Sequence, residues 1–314
     1  MIRFLVRRIS LIIVTLLVVS VAIFTVTEIL PGDAAKVILG QSATPEGLAA
    51  LRLELGLGRP AYVRYLDWIG GVVRGDWGTS YRQKLPVTQV VGHRLENSLY
   101  LAVFAFFIGV PLAVFAGIWA GVRPNRLGDR VISTISLVGI SLPEFVTGVL
   151  LIIVFSSLLH ILPSSSIMMP GQNPLTRPQV MVLPAVTLMA VLFAYIMRMT
   201  RANVMEVMEA NYVRTAILKG LPMRQVIRTH VVPNALLPTI SVIAMNLGYM
   251  LGGLIIVENV FSYPGLGQLL LSSINNRDIP LLQALSLIIA ATYALSNMAA
   301  DIGYAVLNPR IRLS

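Results

Sequence analysis

The 314-residue chain contains no cysteine. That excludes disulfides, thiol nucleophiles and cysteine-ligated metals. Charge is also scarce. Asp, Glu, Lys and Arg together supply 12% of the residues, against about 25% in an ordinary soluble domain. A soluble fold of this length needs a charged skin, and these residues are too few to make one. A disordered chain, a nucleic-acid-binding domain and an ordinary cytosolic enzyme are therefore disfavoured. Acid is scarcer than base, 14 residues against 24, which leaves a net charge of +10. In a soluble protein that excess would suggest an acidic partner. Here the basic residues fall mostly between apolar runs, the pattern of cytoplasmic loops in a membrane protein. The three histidines, His93, His160 and His230, stand alone, with no metal-ligand spacing between them. No phosphate-binding G-x-x-x-x-G-K-[ST] loop occurs, and no local motif for Ser–His–Asp catalysis is present.

What is abundant is apolar: 56% of the residues are hydrophobic and the mean hydropathy is +0.80. A bilayer core of about 30 Å needs about 20 mainly apolar helical residues. Six stretches qualify: Ile9–Leu30, Ser98–Val122, Val131–Leu162, Leu183–Arg201, Ala235–Val257 and Leu281–Leu307. The third is long enough to tilt or to extend beyond the membrane. The first follows Arg3, Arg7 and Arg8. Its apolar run exceeds the roughly 7–15 residues of a signal-peptide core, so it reads as an uncleaved helix.

Placing the N-terminus inside puts 14 of the 24 basic residues on inner segments. These are Arg3, Arg7, Arg8, Arg123, Arg126, Arg130, Arg198, Arg201, Arg214, Lys219, Arg224, Arg228, Arg310 and Arg312. The short outer loops carry only Arg177 and Arg277. The rest lie between Gly32 and Asn97, in a loop too long to obey the positive-inside rule. Both termini are thus expected in the cytoplasm. The chain divides into a first transmembrane helix (1–30), an extracytoplasmic region (31–97) and a five-helix core (98–314) that includes a loop at 202–233. The 31–97 region has a helical pattern over Pro45–Leu55, with Thr44 and Glu46 marking its start, and aromatics at Tyr62, Tyr65, Trp68, Trp77 and Tyr81. An amphipathic cap and a docking surface or gate are both open for it. The six spans show no strong internal repeat, so an inverted-repeat secondary transporter is not signalled.

The loop between spans four and five carries the most information. Val204, Met208, Tyr212 and Ala216 recur every four positions, as on one helix face. Gly220 is suited to the position just past a helix end. Pro222 is suited to the first residue of a new helix, which would present Met223, Val226, Ile227 and His230 before Pro233 ends it. The pattern predicts helix, glycine bend, helix at the inner surface. Such a unit can enter a groove on another protein or lie on the membrane. The Gly-x-Pro break favours the shaped knob.

At these residues the chain resembles the EAA loop of ABC importer permeases. Ala216, Gly220 and Pro233 match its spacing. Arg214 and Thr215 replace the Glu and first Ala, and His230 and Val232 replace the later Ile and Leu. The runs Tyr212–Leu221, His230–Pro238 and Gly252–Leu270 are similar to the permease B subunit of dipeptide and oligopeptide importers. So are Asn276-Arg277-Asp278-Ile279-Pro280, Leu307–Leu313, Arg7-Arg8, Leu30-Pro31-Gly32-Asp33 and Leu55–Ser80. The resemblance spans nearly the whole chain.

It implies an all-α membrane protein of the type I ABC importer fold: six transmembrane helices, a long extracytoplasmic loop after the first, and a cytoplasmic coupling helix between the fourth and fifth. It also implies a multi-pass subunit of the cell (inner) membrane that is not itself an enzyme. The expected partners are a homologous second permease, two ABC ATPase subunits and an extracytoplasmic binding protein. ATP and Mg would be bound by those ATPases, with no cofactor in this chain. The coupling set would be Tyr212, Arg214, Thr215, Ala216, Lys219, Gly220, Leu221, Pro222, Arg224 and Pro233. Members that look like this carry dipeptides, longer peptides, glutathione, nickel chelates or sugars, a choice made largely by the binding protein.

Polar residues within the spans are the other candidates, because charge in lipid is costly. Glu144 follows Pro143 in span three. It reads as a helix-bundle hydrogen-bonding group beside a kink, a proton-coupling group or a contact for a substrate amine. Asn246, Gly252, Gly253 and Glu258 in span five are candidates for a pathway or gate, the glycines by allowing close helix approach. Glu258 also reads as a buried ion pair or cap. Asp301 is expected to pair with Arg310. The competing readings are a transporter driven by an ion gradient, with Glu144 or Asp301 relaying protons, and an intramembrane enzyme, for which no constellation is found.

Overall fold

The computed structural model describes residues 2–29, 35, 39, 44–54, 56, 58–169 and 172–307. The Leu30–Asp33 motif, most of Leu307–Leu313 and the Arg310 partner expected for Asp301 lie outside them. Regular structure among the described residues is helical, with one isolated β-bridge, Thr79 to Pro86. The helices are α1 (Ile2–Ile29), α2 (Pro45–Glu54), α3 (Ala61–Val73), α4 (Val87–Val122), α5 (Leu127–Ser141) and α6 (Glu144–Leu151). Then come α7 (Gln179–Met208), α8 (Asn211–Leu218), α9 (Met223–Val226), α10 (Val232–Val260), α11 (Leu266–Asn275) and α12 (Ile279–Leu307). Among the described residues, five helical segments are long and apolar enough to cross a membrane: Val6–Ile29, Val87–Val122, Gln179–Met208, Met223–Val260 and Ile279–Gly303.

The expected third span is not one helix. It is the pair Leu127–Ser141 and Glu144–Leu158, bent by 113°. Pro143 removes an N–H and forces the residue before it out of the helical region. Leu142 is accordingly extended, at φ −92° and ψ 131°. The second half continues as a π-helix over Ile152–Leu158. Span two also differs from expectation, because its helix starts at Val87 rather than Ser98. Thr88, Gln89, His93, Arg94, Glu96 and Asn97 lower the local hydropathy without breaking the helix.

The chain forms two compact units. The first comprises residues 1–98 and 264–295. Helix α3 packs along the second half of α1, with the Phe24 ring 5.5 Å from Tyr65 and 6.1 Å from Trp68. The Ser20 and Tyr65 hydroxyls are 2.9 Å apart, and Arg64 donates to Glu28. Val87, Val90 and Val91 bury with Leu266, Leu269, Leu281 and Leu285. Asn97 donates to the Pro264 carbonyl at 2.9 Å, and the Ser98 hydroxyl accepts from the Leu266 N–H at 2.8 Å.

A buried carboxylate clasps the 76–86 turn in this unit. Asp278 accepts from the Ser80 hydroxyl at 2.5 Å and from the N–H groups of Tyr81 and Arg82 at 3.0 and 3.3 Å. Burial first, and then Asp278, push the Tyr81 phenol above its ordinary value. Removing one acceptor strands three donors, at about 1–3 kcal/mol for each one left unsatisfied. Asp278→Ala is therefore expected to speed amide exchange of Tyr81 and Arg82 at least tenfold, with exchange in α1 unchanged.

The second unit comprises residues 99–263 and 296–314. Helix α7 is its centre, packed by α10, α5 and α4. Leu183, Leu188, Leu192, Ile196 and Met197 of α7 are buried with Leu101 and Ala113 of α4 and with Leu254 and Val257 of α10. Two glycines one turn apart set the α4–α7 distance. A Cβ on Gly117 would stand 2.7 Å from the Met197 carbonyl oxygen, and one on Gly121 would stand 2.9 Å from that of Arg201. This is small-residue packing, the means by which helices approach closely where lipid supplies no hydrophobic drive. Asn203 donates to the Thr239 hydroxyl at 3.1 Å and ties α7 to α10.

Candidate functional site

The segment between α7 and α10 folds as a two-helix knob on the second unit. Helix α7 ends at Met208, and α8 restarts after an extended Ala210 (φ −66°, ψ 143°). Its far end closes in a full glycine cap. The Gly220 N–H donates to the Ile217 carbonyl at 2.9 Å, and the Leu221 N–H reaches back to Ala216 at 3.4 Å. These are the two bonds of a Schellman motif, with Gly220 at φ +78° as its left-handed residue. The accompanying apolar contact is present, since Leu221 and Ala216 share one cluster.

Two details differ from the sequence expectation. Pro222 caps α9 (φ −62°, ψ 138°) instead of occupying its first turn. Pro233 does not end the second helix, because the chain is helical without a break from Met223 to Val260. A π-turn over Ile227–Val231 makes this possible. The Val232 N–H donates to Ile227, five residues back. The widened turn gives room where the Pro233 ring would otherwise meet the preceding carbonyls.

The knob has a buried root and an exposed tip. Val213, Ala216, Val226, Val231 and Ala235 pack on Val204, with Val207, Met208 and Leu221 around them. The four-residue spacing placed Tyr212 on this face, but Val213 occupies it. The break at Glu209–Ala210 resets the helical phase, and Tyr212 is 46% exposed. Arg214, Thr215, Lys219, Gly220, Pro222, Arg224 and Pro233 are all exposed, while Ala216 is buried. The tip is completed by three apolar residues: Met223, which the sequence placed on the second helix, and two not singled out from sequence, Ile217 and the 81% exposed Leu218. Residues 211–233 carry four basic side chains, Arg214, Lys219, Arg224 and Arg228, and no acidic one. The surface is thus a greasy tip ringed by positive charge, held on a rigid root.

The intramembrane candidates separate. Glu144 opens α6 and lies against Gly253 of α10, where a Cβ would stand 2.6 Å from both carboxylate oxygens. A Cβ on Gly252 would meet nothing within 4 Å, so that glycine serves no close approach inside the chain. Asn246 is buried, and its side-chain N–H donates to the Val242 carbonyl at 2.8 Å. Glu258 is fully buried, and its main-chain carbonyl accepts from Tyr263 at 2.8 Å. Sequence reasoning did not single out Asp129. This buried carboxylate of α5 pairs with Arg201 of α7 at 2.5 and 2.8 Å.

A family model described as "Binding-protein-dependent transport system inner membrane component" matches residues 109–313. The corresponding N-terminal model matches residues 1–102. The chain is 35% identical over 309 residues to the probable peptide ABC transporter permease protein y4tP of Sinorhizobium fredii, covering 98% of this chain and 99% of the relative. It is 37% identical over 312 residues to the glutathione transport system permease protein GsiC of Escherichia coli, covering 99% of each. A crystal structure of an amino acid ABC transporter with histidines superposes with a TM-score of 0.52 at 18% identity. That match covers 71% of this chain and 95% of the other and supports the fold.

Proposed function

The chain belongs to the family of inner membrane components of binding-protein-dependent transport systems, and we propose that it is one of two pore-forming permeases of an ATP-driven peptide importer. Its partners in this reading are a homologous permease, two ABC ATPase subunits and an extracytoplasmic binding protein. ATP and Mg sit on the ATPases, and this chain catalyses nothing. The single observation that carries the reading is the exposed, positively ringed knob between α7 and α10. Counting the bent pair α5–α6 as one span gives six. Both termini and the knob are then cytoplasmic, as the arginine distribution favours. The 31–97 region lies outside, and residues 98–314 form the working core. A peptide-like substrate follows from the two relatives, one named for peptide and one for glutathione.

The geometry suggests how force travels. Helix α9 continues into α10 without a break, so a push on the knob tilts α10 as a lever. The Schellman cap and the buried root hold α8 to α9, so the knob moves as one piece. ATP can drive the cycle only by binding one arrangement of the assembly better than the other.

The test is mild purification of the tagged chain from native membranes, followed by uptake of trialanine or glutathione into vesicles containing the complex. A copurifying homologous permease with two ATPases, and uptake that needs ATP, are the expected results. A chain that purifies alone, with uptake abolished by collapsing ion gradients, would instead establish the gradient-driven reading.

A further inference from the structure

We propose that Glu144 and Thr147, set against Gly253 of α10, form a site for the primary ammonium group of the transported molecule. The inference rests on the importer reading and names a recognition element within it. Glu144 and Thr147 are three residues apart on α6 and so share a face. The Glu144 Oε2 and Thr147 Oγ1 atoms are shielded from solvent and have no hydrogen-bond partner among the described residues. Among the described residues no Lys or Arg forms an ion pair with Glu144.

Buried polar atoms in native proteins are satisfied, and an exception calls for a reason. Ionisable groups at membrane depth face a bundle interior or a cavity and mark substrate or ion paths. Gly253 of α10 has no side chain, and the Glu144 carboxylate lies where its Cβ would be.

The donor inventory selects the ligand. A carboxylate only accepts, and the Thr147 hydroxyl can accept as well. An ammonium group carries three donors and no acceptor, so it can satisfy both atoms at once. An anion or a carbonyl would add acceptors to acceptors. A free peptide amino terminus has this chemistry, and so has the α-amino group of glutathione.

The experiment uses the full importer, with its partner subunits and binding protein, in proteoliposomes. Trialanine and glutathione are offered with free and with N-acetylated amino groups, at saturating loaded binding protein. Glu144→Gln is expected to lower the maximal uptake rate of the free-amino forms about tenfold, the loss of one charged hydrogen bond. It should leave the binding-protein concentration for half-maximal uptake unchanged, and binding-protein-stimulated ATP hydrolysis as well. Residual uptake of the acetylated forms should be equal in wild type and variant. Gly253→Ala, which puts a methyl group where the carboxylate lies and so displaces it without removing its charge, should reproduce the loss, and it decides the matter if Glu144→Gln does not assemble.

Uptake of free-amino substrate unchanged in both variants would overturn the site alone. So would equal losses for free and acetylated forms. Uptake that stops when proton or sodium gradients are collapsed, and loses that sensitivity in Glu144→Gln, would overturn it in favour of a coupled ion. A wild-type importer that accepts neither substrate would sink the peptide reading and this site with it.

Discussion

Gly220→Val will abolish ATP-driven uptake while leaving the chain in the membrane. Gly220 sits at φ +78°, where a β-branched residue is a steric outlier. The left-handed conformation costs a non-glycine residue roughly 1–2 kcal/mol. A β-branched side chain raises that cost and favours opening the cap. Opening it loses the two hydrogen bonds to Ile217 and Ala216 and frees Leu221 from the cluster. The root of the knob survives, because Val213, Val226 and Val231 are buried independently of the cap. The tip does not survive, because Leu218, Lys219 and Pro222 are aimed by that one residue. Uptake is expected to fall by a factor of about ten or more, since a displaced contact of about 1 Å already costs two orders of magnitude in some sites. Gly220→Asn is the control. Asparagine enters the left-handed region at much lower cost and should retain more than half the activity. Uptake in reconstituted vesicles and crosslinking of a Leu218→Cys probe to the ATPase read the two halves of the claim. Uptake within twofold of wild type for Gly220→Val would remove the bend from the mechanism.

The apolar spans were legible because a membrane helix announces itself by composition: α7, α10 and α12 contain the stretches read from hydropathy, and α1 covers the first of them up to Ile29. The glycine bend at 220 was legible because few residues other than glycine serve there. Phase was harder to read. A four-residue period running from Val204 to Ala216 assumes one continuous helix, and one extended residue, Ala210 (φ −66°, ψ 143°), is enough to exchange Tyr212 for Val213 on the buried face. Pro233 misled for a related reason: proline marks a helix end only when nothing absorbs its missing donor, and the π-turn absorbs it. The 113° bend at Leu142–Pro143 was flagged by the proline, but its size is set by packing on α7 and α10. The spacing of Gly117 and Gly121 was visible in the sequence, but its partner face on α7 was not. Asp129 carries no local signal at all. Its role depends on Arg201, 72 residues away, and no spacing rule reaches that far.

That pair provides the second large effect. Asp129 is 2% exposed and holds Arg201 in a two-pronged bridge through Nε and Nη2. Its two oxygens also accept from the Asn125 N–H at 2.8 Å and the Ser133 hydroxyl at 3.2 Å. One side chain thus fixes the α4–α5 turn, the start of α5 and the end of α7. The Arg201 backbone lies directly over Gly121, and Val204, one turn on, belongs to the root of the knob. Removing one member of a buried pair strands the other charge, at about 3–5 kcal/mol when both are fully buried, and the 26% exposure of the Arg201 side chain puts this pair at the low end. Asp129→Ala should therefore lower the melting temperature of the purified complex by roughly 10 °C. Arg201→Met should do the same by a smaller margin, because Asn125 and Ser133 still bind the carboxylate. The double variant Asp129→Leu with Arg201→Met strands neither charge. It should recover at least half of the loss, as replacement of buried ion pairs by apolar groups does elsewhere. Strict additivity of the two single losses would mean that the residues stabilise the fold separately, and the bridge would then not be what joins α5 to α7. Recovery of stability without recovery of uptake would mean that the bridge also serves the moving parts, because the double variant leaves the knob itself intact.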